Sequence, residues 1–240
     1  MLSFRRSALL LSAAVLASSQ AYAAPVTFTE LSGLTGGTLG STAVFKGDLT
    51  SVGVANILSI TIKDSSSGLG GSPSQFTGFD LDAIVLSNVN CTTAACVKGL
   101  SGSPVFDFGG GTIFTPGTQR PPSNPKLFGT GTTGTTVDNS VATLGSFDGE
   151  STTTIPGAFG FVSLGDNGTL TFNLTSALST AGLFLYIGEV GNNGELAASN
   201  INVSDVPVTV AVPEPATGAL LAFGVAGLYA ARRKKNSEAV

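Results

Sequence analysis

Two aspartates in the segment Gly78–Leu86, which reads GFDLDAIVL, form the most specific chemical pattern in the chain. In a β-strand, Asp80 and Asp82 project from the same face about 7 Å apart, so their charges repel unless water or a cation lies between them. Calcium suits such a pair, because it binds carboxylate and carbonyl oxygens, and Asp64 or Asn88 could complete the shell. The pattern identifies Asp80 and Asp82 as candidate calcium ligands.

The same segment also has an interpretation without a ligand. A strand could begin here with Asp80 and Asp82 both solvated, while Ile84 and Leu86 enter the core. Residue spacing is compatible with both interpretations.

Three further acidic residues lie beside turns. Glu189 and Glu195 flank the turn 191–194, and Asp166 begins the turn Asp-Asn-Gly. These carboxylates could form a second cation site or a glycosidase pair, which needs two carboxyl groups roughly 5 to 10 Å apart across a substrate. Acidic residues beside turns are common in secreted β proteins, so we expect a body without catalytic activity.

Composition excludes several classes of function. The chain contains no histidine, which removes Ser-His-Asp and Cys-His catalysis and ordinary histidine-based zinc sites. Between the two ends, five basic residues oppose thirteen acidic ones, so nucleic acid is not expected as a partner. There is no tryptophan, and Tyr186 is the one tyrosine between the ends, which argues against sugar recognition by aromatic stacking.

The two cysteines of the chain, Cys91 and Cys96, are separated by four residues. A redox pair more typically has two intervening residues, and export would place these thiols in an oxidising compartment. We therefore predict a small loop disulfide, which contributes about 2 kcal/mol on the chain-entropy model.

Strand-like alternation recurs along the body. Residues 56–63 place Leu58, Ile60 and Ile62 on one face, and similar patterns cover 169–174, 182–190 and 201–210. Glycine, serine, threonine and proline disfavour helices almost throughout. The pattern predicts an all-β, antiparallel β-sandwich of jelly-roll type, with an irregular insertion at 109–157.

The N-terminus has the features of a secretory signal peptide. Arg5 and Arg6 precede an apolar run, and small residues lead up to a cleavage point between Ala23 and Ala24. We expect residues 1–23 to be removed by signal peptidase during export.

The C-terminus has the features of a membrane anchor. Residues 216–231 carry no charge, and as a helix they would reach about 24 Å, a marginal length for crossing a membrane. The basic cluster Arg232, Arg233, Lys234 and Lys235 favours the cytoplasmic side, which leaves the body outside the cytoplasm. A plain C-terminal anchor would explain these features.

A plain anchor does not explain the residues Val212, Pro213, Glu214 and Pro215. Two prolines one residue apart keep the backbone extended and prevent the helix from continuing upstream, which leaves an accessible peptide at the membrane surface. The motif, the short helix and the basic cluster, in this order, resemble the PEP-CTERM sorting signal of Gram-negative bacteria.

This resemblance implies a processing route. An exosortase would cut near Val212–Pro215, after the helix had held the chain briefly in the inner membrane, and the body would pass to the cell surface or the extracellular space. Such systems usually accompany exopolysaccharide production and biofilm formation. The expected organisation is a signal peptide at 1–23, a secreted body at 24–211 and a sorting signal at 212–240.

Two functions follow as expectations. The first is a non-catalytic surface or matrix protein associated with exopolysaccharide. The alternative is a calcium-dependent carbohydrate-binding module or a carboxylate-based carbohydrate-active enzyme, since Gly78–Leu86 also resembles segments of other PEP-CTERM bodies and of carbohydrate-binding jelly rolls.

Overall fold

Strands dominate the part of the chain that can be described. A computed structural model describes residues 23–37, 41–66, 72–149, 160–193, 195 and 200–209. The strands are β1 (Ala23–Pro25), β2 (Phe28–Glu30), β3 (Thr42–Asp48), β4 (Asn56–Lys63), β5 (Asp80–Ser87), β6 (Thr112–Thr115), β7 (Val162–Ser163), β8 (Thr169–Ser179), β9 (Phe184–Val190) and β10 (Asn200–Ser204). Two short α-helices, α1 (Ala94–Lys98) and α2 (Asn139–Ala142), and a 3-10 helix at Ser74–Phe76 lie between them.

The described strands form two antiparallel sheets. The first sheet has the order β1-β10-β4-β8-β6, and the second has the order β2-β3-β9-β5-β7. Every pair of neighbouring strands in both sheets is antiparallel. The prediction of an all-β, antiparallel fold is therefore confirmed.

The core lies between the two sheets. Ile60 and Phe172 of the first sheet belong to the same buried cluster as Leu86, Leu185 and Ile187 of the second. Inward side chains of both sheets interdigitate, which is the arrangement of a sandwich. In β4 a register shift between Ile57 and Ser59 interrupts the alternation, so Ile57 enters the core in place of the predicted Leu58. Each large apolar side chain buried in this way stabilises the fold by about 1.5–3 kcal/mol.

A second apolar cluster covers the outer face of the second sheet. Val44, Val85 and Tyr186 pack there against Ala94 and Val97 of α1. The Tyr186 hydroxyl donates a hydrogen bond to the Val89 carbonyl at 2.6 Å and accepts one from the Cys91 amide at 2.9 Å. These contacts hold the loop before α1 against the sheet.

That loop contains the predicted disulfide. Cys91 and Cys96 are bonded to each other, with their Cα atoms 5.7 Å apart. The prediction of a disulfide is confirmed.

The first described residues reach both sheets. β1 pairs with β10 at the edge of the first sheet, and β2 pairs with β3 at the edge of the second. The Val26 amide, between the two strands, donates a hydrogen bond to the Ile201 carbonyl at 2.9 Å. We call residues 23–30 the N-terminal arm. The predicted signal cleavage point, between Ala23 and Ala24, falls inside β1, so cleavage there would leave Ala24 and Pro25 of this strand.

The predicted insertion at 109–157 contains some regular structure. Strand β6 and helix α2 lie within it, and β6 pairs with β8 at the edge of the first sheet. Residues 150–157 lie outside the described part of the chain.

The chain divides into two compact units, Met1–Val208 and Thr209–Val240. The predicted signal peptide, the motif Val212–Pro215, the helix 216–231 and the basic cluster 232–235 all lie outside the described residues, apart from Ala23 at the cleavage point. Among the residues that can be described, none of the helices is both long enough and apolar enough to cross a membrane.

Candidate functional site

Both aspartates of the segment Gly78–Leu86 lie in β5 and are buried. The exposed fraction is 6% for Asp80 and 0% for Asp82. The interpretation with both side chains solvated is therefore wrong, although Ile84 and Leu86 do enter the core as that interpretation predicted. Ala83 and Val85 on the outer face of β5 are buried because α1 and its neighbouring loops pack against them.

One carboxylate oxygen of Asp80 and one of Asp82 accept hydrogen bonds from other parts of the protein. The Ser163 hydroxyl donates to Asp80 Oδ1. Asp82 Oδ1 accepts the main-chain amides of Asp148 at 3.1 Å and Gly149 at 2.8 Å. Asp82 thus fastens the segment 148–149 to the second sheet.

An irregularity in β5 accompanies this arrangement. The register between β5 and β9 shifts between Leu81 and Ile84, and both of these residues belong to the core cluster. A shift of this kind is the mark of a β-bulge, which changes the direction of side chains relative to simple alternation.

Burial raises the pKa of Asp82 to about 7, and the charge of Asp148 adds to this effect. The Thr42 hydroxyl and the amides of Asp148 and Gly149 act in the opposite direction. Thr42 is close enough to lower the pKa, but its hydroxyl and Asp82 Oδ2 fall short of hydrogen-bond geometry.

A second group of carboxyls lies where the two sheets end. Glu189 follows Leu185 and Ile187 on the inward face of β9 and has no exposed surface, and Glu195 is 2% exposed. Burial raises the pKa of both side chains to about 8. The charge of Glu195 raises the pKa of Glu189 further, which places the two carboxyls within electrostatic reach of each other.

Three more charged residues interact with Glu195. The charges of Asp64 and Asp166 raise its pKa, and the Arg120 guanidinium lowers it. Arg120 Nε lies 3.4 Å from Asp166 Oδ1. We call Asp64, Arg120, Asp166, Glu189 and Glu195 the carboxyl cluster.

Asp64 has a structural role in this cluster. Its Oδ1 atom accepts the main-chain amides of Ser66 and Asn167, both at 2.9 Å, and its Oδ2 atom accepts the Phe79 amide at 3.1 Å. Asp64 therefore ties the end of β4 to two other segments of the chain.

The structure brings the predicted residues together in a different grouping. Sequence reasoning named Asp166, Glu189 and Glu195, and these residues interact electrostatically through Glu195. It grouped Asp64 with Asp80 and Asp82 instead, and it missed Arg120. Arg120 comes from the irregular segment after β6, and no local pattern links it to acids 46 and 75 residues away.

No three carboxyl or thiol side chains among the described residues are arranged so that they could hold a metal ion by themselves. A calcium ion between Asp80 and Asp82 stays a prediction. Any cation here would need main-chain carbonyls or water to complete its shell.

Two small cavities adjoin on the outside of the second sheet. Their volumes are about 160 Å³ and 200 Å³, and Val85 and Gly145 line both of them. Phe106 and Phe108, which stack with a centroid distance of 5.4 Å, border the first cavity. Each cavity is smaller than the roughly 300–1,000 Å³ of typical small-molecule sites.

The described residues end just before the C-terminal motif. The Asn173 side chain holds Val208 through two hydrogen bonds of 2.8 Å, one to its carbonyl and one from its amide. The Ser59 hydroxyl donates to the Val206 carbonyl at 2.8 Å. β4 and β8 therefore hold the chain in place up to three residues before position 211.

Residues 211–234 match the family model described as the PEP-CTERM protein-sorting motif. The chain carries a PEP-CTERM sorting signal. The match includes all of Val212–Pro215 and three residues of the basic cluster, as the sequence predicted. No curated protein and no solved structure matches the chain significantly.

The PEP-CTERM signal shows how this protein is sorted, but not what its body does. It supports exosortase-dependent sorting of an exported protein, with processing by an exosortase and export through the membrane to the cell surface. Because the signal covers only 24 of the 240 residues, the activity of the body has to be argued from its own side chains.

Proposed function

We propose that this protein is a non-catalytic component of the cell surface or extracellular matrix. In this proposal, signal peptidase removes residues 1–23, the C-terminal helix holds the chain briefly in the inner membrane, and an exosortase cuts near Val212–Pro215. The observation that carries the proposal is the sorting motif at residues 211–234.

We further propose that the exported body is associated with exopolysaccharide and biofilm. The body carries five basic residues against thirteen acidic ones, and this charge keeps a secreted protein soluble in a polysaccharide layer. Aromatic stacking contributes little to any glycan contact, because Tyr186, the one tyrosine of the body, is completely buried.

The burial of the carboxyl groups favours a non-catalytic body over a carbohydrate-active enzyme. A glycosidase places two carboxyl groups on either side of a substrate bond. Glu189 and Asp82 have no exposed surface, and Glu195 has almost none. A polysaccharide chain cannot reach these groups in the described conformation.

Intact-mass analysis tests the sorting step. The protein is isolated from the host and from a strain that lacks the exosortase. We expect the host protein to have lost its C-terminal segment at or near Val212–Pro215, and the deletion strain to retain the segment.

Two proline variants sharpen this test. Pro213→Ala alters the motif, whereas Pro207→Ala changes a proline outside it and serves as the matched control. We expect slower processing only for Pro213→Ala. A C-terminus that extends unchanged through Val240 in both strains would show a plain anchor and contradict the proposal.

A further inference from the structure

If all four carboxyl groups of the carboxyl cluster were ionised, their negative charge would exceed what Arg120 can neutralise. Asp64, Glu189 and Glu195 are buried, Asp166 is half-buried, and Arg120 is the cation that interacts with Glu195 and Asp166. Carboxylates taken out of water are costly unless a counter-charge or hydrogen bonds replace the lost solvent. The cluster therefore needs another positive partner, either bound protons or a bound cation.

Glu189 shows where that partner belongs. Its side chain is completely buried on the inward face of β9, and neither carboxylate oxygen has a hydrogen-bond partner within the described part of the chain. The amides of Asn192 and Asn193 are near enough to lower its pKa, but they do not reach hydrogen-bond geometry. A buried acceptor without partners is rare in native proteins, and a proton, an ion or water has to take the place of the lost solvent.

We propose that Glu189 and Glu195 bind one calcium ion at this end of the sandwich. Their carboxylates provide hard oxygen ligands of the kind that calcium prefers. Asp64 is not a ligand in this proposal, because both of its oxygens already accept main-chain amides. Asp64 and Asp166 add negative charge around the ion instead.

The ligands available at this site favour calcium over zinc, copper and magnesium. The chain has no histidine, and both cysteines are joined in the disulfide, so the ligands preferred by zinc and copper are missing. Magnesium requires near-ideal octahedral geometry and gives up its water reluctantly. Calcium accepts an irregular shell, in which two carboxylates are joined by main-chain carbonyls and water.

A calcium-binding experiment with the full chain in detergent tests this site. Chelated protein is dialysed against calcium, and the bound calcium is measured together with the melting temperature. Calcium at about 10 mM exceeds the dissociation constants of roughly 10⁻⁴–10⁻³ M that are typical of extracellular calcium sites. We expect about one ion per chain and a higher melting temperature.

Matched substitutions locate the ion. Glu189→Gln and Glu195→Gln each remove one charge from the site, and Asp205→Asn removes one charge from an exposed position. We expect the calcium affinity to fall about tenfold or more in both Gln variants and to stay unchanged in Asp205→Asn.

Three results would overturn the proposal. The first is a wild-type chain that binds no calcium, and this result is decisive even if a Gln variant fails to fold. The second is binding that Asp205→Asn weakens as much as Glu189→Gln, which indicates diffuse attraction to an acidic surface. The third is a wild-type chain whose melting temperature does not rise with calcium, combined with a Glu189→Gln variant that is more stable than the wild type at pH 8. This combination would indicate that protons, rather than calcium, neutralise Glu189 and Glu195. None of these results depends on exosortase processing.

Discussion

Asp82 shows how one carboxyl can fasten a loop and also make stability depend on pH. Its Oδ1 atom accepts two main-chain amides, and the charge of Asp148 acts on it from the segment that it holds. In the folded state its pKa is about 7, compared with an ordinary value of 3.8. The folded protein therefore keeps a proton that the unfolded chain has already released.

The sign of the resulting pH dependence follows from linkage. Between about pH 4 and pH 7, the unfolded state binds fewer protons at this position, so the free energy of unfolding falls as pH rises. Asp82→Asn should remove this contribution, which amounts to at most about 4 kcal/mol across the window. Urea unfolding at pH 4.5, 6 and 7.5 in a chelator measures it.

Asp107→Asn provides the control for this prediction. Asp107 Oδ1 also accepts two main-chain amides, from Gly109 at 3.0 Å and Gly110 at 3.1 Å, but its side chain is exposed. We expect the control to keep the wild-type slope. Parallel pH curves for the wild type and Asp82→Asn would contradict the prediction.

At the scale of single elements, strands whose two faces differ in polarity were the most predictable. Residues 56–63 were predicted as a strand and form β4 with the same bounds. The patterns at 169–174, 182–190 and 201–210 correspond to β8, β9 and β10, with shifted ends. The turn beginning at Asp166 was also predicted, and Asn167 adopts the positive φ of 65° that favours asparagine.

β5 shows why the burial of Asp80 and Asp82 could not be predicted from the sequence. All eight of its residues are buried. The loop and helix at 91–98 pack on Ala83 and Val85, and the segment 148–149 lies on Asp82. A local pattern cannot reveal that another segment covers a face, so the solvated interpretation of Asp80 and Asp82 was wrong. The pairing of Arg120 with Asp166 is also set by tertiary packing and leaves no local signal.

β8 positions the segment that leads to the sorting signal. Asn173→Ala would remove both hydrogen bonds to Val208. Each such bond stabilises by about 0.5–1.5 kcal/mol, so local opening of residues 205–209 should become at least about fivefold more frequent. Limited proteolysis, read by mass spectrometry, should show faster cleavage in this range.

Asn88→Ala is the comparison for that experiment. Its side chain donates one hydrogen bond to the Gly182 carbonyl, in a different part of the fold. We expect it to leave cleavage at 205–209 unchanged. Equal cleavage rates for Asn173→Ala and the wild type would show that Val208 is held by other contacts.

At the scale of the whole molecule, the N-terminal arm protects one edge of each sheet. β1 covers β10 and β2 covers β3, through short strands of three residues each. Short edge strands limit the unpaired main-chain groups that another chain could bind.

Deleting residues 24–30 from the exported chain should expose β10 and β3 along their free edges. We expect the deletion variant to form dimers or larger aggregates, because each edge would offer unpaired amides and carbonyls. Size-exclusion chromatography with light scattering measures this. Thr29→Ala, which keeps the main-chain pairing with Lys46, should stay at the wild-type size. A deletion variant of unchanged size would contradict the role of the arm.

The pairing of β1 with β10 also fixes the order in which the body can be completed. Ala24 and Pro25, the first residues of the body, pair with Val203 and Asn202, so the part of the body that emerges first has to wait for residues near its end. Contacts this distant in sequence form slowly. The first sheet is therefore finished only when translocation has brought residue 204 out of the export channel, a few residues ahead of the sorting signal.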